Sequence, residues 1–176
     1  MSNCYKDHKI LLSTPDGKEE PLAIPVRGIK STDIKLMTKR AFKSATDHFD
    51  ASEQLSGTSQ IILLALSCEL FLKAILMKIT GEEVKKEHDL HILFYEELPP
   101  EQRSLIISLF NPSKWTEDEI ENMTMLHANC FVDLRYDYEL GIYVYNKGFL
   151  RVFASCLEKA CESIYGIQKI SLRPKD

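Results

Sequence analysis

Apolar residues recur at helical spacing along most of this chain. Between Thr32 and Ser52, the residues Ile34, Met37, Ala41, Phe42, Ala45 and Phe49 fall three or four apart and predict an amphipathic helix. Ser31 or Thr32 is its expected N-cap. The next segment, Thr58 to Thr80, is apolar on nearly every side, from Ile61 through Leu64, Phe71 and Ile75 to Ile79. A helix of that kind belongs at the centre of a bundle. Gly81 follows it and suits a helix end.

A short helix is expected from Leu90 to Glu97, capped by Asp89. Pro99 and Pro100 break it and open another from Glu101 to Phe110. Thr116, with Glu119 three residues on, makes a capping box for a long helix from Glu117 to Glu139. Leu140 to Asn146 reads as an extended connector. A last helix spans Lys147 to Tyr165, with Phe149, Val152, Phe153, Cys156, Leu157, Ala160 and Ile164 on its inner stripe.

The first thirty residues follow another pattern. Lys9–Ser13 and Pro21–Ile24 flank Thr14-Pro15-Asp16-Gly17, which has turn chemistry. An extended arm or small hairpin is expected there, too small to stand alone and so resting on the helical body or on a partner chain. The expected architecture is all-α: an up-and-down helical bundle over residues 31–168, the arm over 1–30, and a loose tail over 169–176.

Composition narrows the possibilities. The chain has 176 residues, 44% of them hydrophobic, enough for one core without disulfide or metal. A net charge of −4 argues against a broad basic face laid on duplex DNA. The lysines at 35, 39 and 43 make a local stripe, either a solvated face or a small strip for phosphate. The five cysteines show no CxxC spacing. Cys68, Cys130 and Cys156 lie in apolar helical segments, as free thiols in a reducing compartment would. The N-terminus lacks the apolar stretch of a signal peptide. Ile61–Ile79 is interrupted by Glu69, Lys73 and Lys78, so no membrane span is expected and the location reads as cytoplasmic.

Candidate chemistry is sparse. There is no Gly-rich phosphate loop, HExxH, GxSxG or zinc-ligand spacing, and nothing calls for a cofactor. Glu69 and Lys73 form an i, i+4 pair inside the apolar helix, and a buried Glu69 needs a cationic or hydrogen-bonding partner. Arg135 is a candidate for that role. His88 and His91, beside Glu87 and Asp89, read as the start of a helix rather than as metal ligands. On the long helix His127, Phe131 and Arg135 share a face, with His127 and Arg135 about 12 Å apart along the axis.

Two stretches resemble HEPN domains, helical modules of prokaryotic toxin, antiphage and nucleotidyltransferase-associated systems. One is Leu66 to Leu76, with Glu69 and Lys73 in the E-x-x-x-K pattern, followed by His88-Asp89-Leu90 and Leu93 in the H-D-L-x-x-L pattern. The other is Phe131 to Glu139, which looks like the R-Y-x-Y-E helix ending of one HEPN-like branch. Together they span about residues 32–165.

The resemblance implies a helical bundle, a homodimer, and in active members a metal-independent ribonuclease. In these an Arg and a His beyond it meet across the dimer cleft. The His serves as acid or base while the Arg steadies the developing charge. Arg135 matches the Arg, but Leu140, Gly141 and Ile142 stand where the His belongs, and no His follows His127. The implied function is a dimeric module that binds RNA, a nucleotide or a partner protein in a defence or toxin–antitoxin setting. The alternative is an endoribonuclease using Arg135 with Tyr138, Glu139 or His127.

Overall fold

The computed structural model describes residues 11–13, 19–21, 33–84, 86–134 and 145–165. The chain divides into two compact units, Met1–Ser31 and Thr32–Asp176. In the first, β1 (Leu11–Ser13) pairs antiparallel with β2 (Glu19–Pro21), with Leu12 opposite Glu20. The pairing brackets the Thr14–Gly17 turn sequence, and Pro21 closes the ladder where a missing N–H does least harm.

The second unit is an all-α helical bundle. Helix α1 runs Ile34–Ser52 and α2 runs Gly57–Thr80. The link over residues 53–56 is short enough to make them antiparallel neighbours. The N-cap of α1 is Asp33, one residue beyond the expected Ser31 or Thr32, and its carboxylate accepts the Leu36 N–H at 3.2 Å. A carboxylate suits that position doubly, since it also meets the positive end of the helix dipole. Gly81 ends α2 at φ 70°, a left-handed conformation that costs a side-chain-bearing residue dearly.

Helix α2 packs against α1 and against α6 (Lys147–Tyr165), and also against α5 (Cys130–Leu134) and a π-helical turn, Ile92–Glu97. Leu64, Phe71, Leu72 and Ile75 are fully buried on it, and Phe149, Phe153 and Leu157 meet them from α6. Each such side chain contributes roughly 1.5–3 kcal/mol by leaving water. Phe153 stacks on Phe149 and meets Phe94 edge-on, which ties the π-helical turn to α6. Helix α3 (Pro100–Ser108) starts on Pro100, whose absent N–H is no loss in a first turn. Hydroxyls buried with the core bond to their own helices: Thr38 donates to Ile34 O and Ser67 to Leu63 O.

The long helix expected over Glu117–Glu139 is not continuous. Helix α4 (Glu117–Leu126) carries the expected capping box, with Thr116 and Glu119 bonded reciprocally. It stops at His127, and α5 begins at Cys130. No glycine or proline marks the break. Tertiary hydrogen bonds stabilise it instead: the Ala128 carbonyl accepts the Leu90 N–H at 2.9 Å, and His127 binds Asn146.

Candidate functional site

Lys73 of α2 and His88 of the segment after it converge on one carboxylate of α2, that of Glu69. Glu69 is only 3% exposed. Its Oε1 accepts Lys73 Nζ at 2.7 Å from the next turn of α2 and stands 3.0 Å from His88 Nδ1. Lys73 is mostly buried, while His88 keeps nearly half of its side chain in solvent. The other oxygen, Oε2, is buried with no hydrogen-bond partner among the described residues. A carboxylate so far out of water depends on its partners, and losing one strands it.

The segment that brings His88 to Glu69 is held by its own backbone. Glu87 Oε1 accepts the N–H groups of both His88 and Asp89 at 2.8 Å. These bonds, that of Asp89 foremost, hold the Glu87 carboxyl below the ordinary range, with help from the charges of His88 and Lys73. Asp89 Oδ1 then accepts the N–H groups of His91 at 2.8 Å and Ile92 at 3.0 Å, so Asp89 is a cap in geometry. Leu90 is buried and its N–H reaches the Ala128 carbonyl. The H-D-L triplet therefore ties three places together: α2 through His88, the helix that follows through Asp89, and the α4–α5 corner through Leu90.

His127 stands apart from that cluster. It is fully buried. Its Nδ1 lies 2.7 Å from the Met123 carbonyl, and Nε2 lies 2.8 Å from the backbone nitrogen of Asn146. A carbonyl only accepts and an amide only donates, so the ring carries its proton on Nδ1 and is neutral. Burial lowers its pKa from the ordinary value, against a smaller upward pull from the Met123 carbonyl. The ring also packs against Phe149 and Tyr145. Both nitrogens are engaged, which leaves nothing with which to shuttle a proton.

Glu69, Lys73 and His88 thus meet, Asp89 caps the adjoining helix, and His127 serves the core. Arg135, Tyr138 and Glu139 lie outside the described residues. His127 and Phe131 do not share one continuous helix, because α4 ends at His127 and α5 begins at Cys130. His88 and His91 point to different partners, His91 Nδ1 lying 3.3 Å from Thr124 Oγ1. Among the described residues no three of His, Cys, Asp and Glu stand close enough to share an ion.

Cys68, Cys130, Cys156 and Cys161 are buried free thiols. Burial pushes the Cys156 thiol up to about 11 and that of Cys130 to about 12. Such groups are poor nucleophiles. Sequence reasoning groups Glu69, Lys73, His88 and Asp89 as one polar-network or ligand-binding set, but it offers Arg135 as the partner of Glu69 and does not pair it with His88, nineteen residues on. The available signal was a helix-buried acid followed by a lone histidine just before a cap. It also missed the Thr124 hydroxyl beneath His91, for which no pattern exists. No protein-family model, curated protein or solved structure matches this chain.

Proposed function

We propose that this chain is a HEPN-like helical module that pairs as a homodimer and binds RNA, a nucleotide or a partner protein, in a prokaryotic defence or toxin–antitoxin setting, without the ribonuclease chemistry of active members. The observation that carries the reading is the meeting of Glu69 and Lys73 with His88 on one carboxylate oxygen. The E-x-x-x-K and H-D-L segments, both of the first resembling stretch, are separate in sequence, and here Glu69, Lys73 and His88 meet. The engagement of both His127 nitrogens supports a binding role over a catalytic one, since the one histidine near Arg135 in sequence is neutral and buried.

The test is an RNA binding and cleavage assay on the purified chain in EDTA, with Arg135→Ala alongside and the assembly state read by light scattering. A dimer that binds RNA or nucleotide without cutting it is the expected result. Cleavage that disappears in Arg135→Ala, with melting unchanged, would replace this reading by an endoribonuclease. A monomer with no affinity for RNA, nucleotide or a co-purifying protein would end it.

A further inference from the structure

A cavity of about 600 Å³ opens where the start of α1 meets the ends of α2 and α6. Its walls include Ile34 and Lys35 with Lys39 from α1, Met77 and Lys78 from α2, and Tyr165 from α6. No residue of the Glu69 cluster lines it. The volume lies within the range of small-molecule sites, and its chemistry is divided as such sites are, with an apolar floor and a few polar groups.

The floor is rigid. The Tyr165 hydroxyl donates to the Ala74 carbonyl, and the ring leans on Phe42 at 5.7 Å between centroids. Burial pushes the phenol far above its ordinary range, so it remains a neutral donor. Met77 is buried beside it. Lys78 lies 5.6 Å from the centre of the Tyr165 ring, which holds one ammonium at the cavity wall.

The rim is cationic. Lys35 and Lys39 stand one turn apart on α1, where like charges repel. Among the described residues no carboxylate forms an ion pair with Lys35, Lys39 or Lys78. The next lysine of the stripe, Lys43, is different: Asp47 neutralises it. The helix ends act in opposite directions, α1 bringing its positive end and α2 and α6 their negative ends. Each counts for about half a charge, less than the three ammoniums together.

The geometry points to a binding site for an organic phosphate monoester: the phosphate held by Lys35, Lys39 and Lys78, the apolar or aromatic body lying on Ile34, Met77 and Tyr165. The inference stands on the cavity alone and survives the loss of the HEPN-like reading. The test is a titration of AMP into the full chain, followed through the Met77 methyl resonance, which Met77→Leu assigns. Lys39→Glu reverses a rim charge at an exposed position. Lys43→Glu is the control outside the cavity.

The expected result is a saturable shift of the Met77 methyl in wild type and Lys43→Glu, with binding about tenfold or more weaker in Lys39→Glu. No saturable shift at Met77 overturns the site. Equal weakening in both variants overturns it too, since it marks non-specific attraction. Inorganic phosphate binding as tightly as AMP overturns the role of the apolar floor, and adenosine binding as tightly overturns that of the lysines.

Discussion

His127 Nε2 lies 2.8 Å from the backbone nitrogen of Asn146, so a ring at the end of α4 positions the residue that starts α6. Asn146 in turn caps α6, its Oδ1 accepting the Phe149 N–H at 3.0 Å. The arrangement requires the neutral ring, because a proton on Nε2 would face the Asn146 N–H. The folded chain therefore resists protonation of His127 below its ordinary pKa of 6.5, while the unfolded chain takes up the proton there. Stability is complete above that pH and falls as pH drops toward the lower folded value. Glu87 and Glu119 also hold depressed carboxyls, but their contribution is lost only below about 4.5. Urea melts between pH 7 and pH 5 are expected to show declining stability in wild type. His127→Gln should start about 1–3 kcal/mol lower and decline less.

Lys73 and His88 share one oxygen of Glu69, so the three should not behave additively. Lys73→Met leaves a buried carboxylate with one partner and is expected to cost about 1–3 kcal/mol. Glu69→Gln removes the charge that Lys73 and His88 both face. The double variant should be more stable than the sum of the singles predicts, by about 0.5–3 kcal/mol. Strict additivity in denaturant melts would mean that the lock contributes no energy.

Asp89 offers a cleaner measurement, since among the described residues its carboxylate bonds only to backbone N–H groups of its own turn. Asp89→Ala is expected to cost about 1 kcal/mol, and Asp89→Asn, which keeps an acceptor oxygen, much less. Thermal melts of the pair separate the cap from any charge effect.

The buried thiols predict a sharp kinetic contrast. On a Cys4→Ser background, Cys68, Cys130, Cys156 and Cys161 should react with a thiol-specific disulfide reagent only at the rate of unfolding near neutral pH, and at once in denaturant. Fast reaction of any of the four in native buffer would contradict the burial described for it.

Sequence alone placed the elements whose signals are local. The stripe of α6 and its bounds at Lys147 and Tyr165, the left-handed end at Gly81 and the Thr116–Glu119 box all follow from spacing and backbone chemistry. The break at His127 was illegible because its causes are distant: Leu90 supplies one hydrogen bond and Asn146 another. The π-helical turn was equally hidden. Leu90, Leu93, Phe94 and Leu98 are buried at spacings that an α-helix would satisfy as well. Of the candidate site, Glu69 and Lys73 could be paired from sequence as one turn of one helix. The place of His88 beside them depends on how the following segment folds back, which no periodicity encodes.

The Leu90–Ala128 hydrogen bond has a consequence for folding order. It joins a segment after α2 to the corner between α4 and α5, so it cannot form until that corner exists. The corner, for its part, keeps its bend only while Leu90 and Asn146 hold it. In deuterated buffer the Leu90 amide should therefore exchange as slowly as those of central α2, and release its proton only when the whole bundle opens.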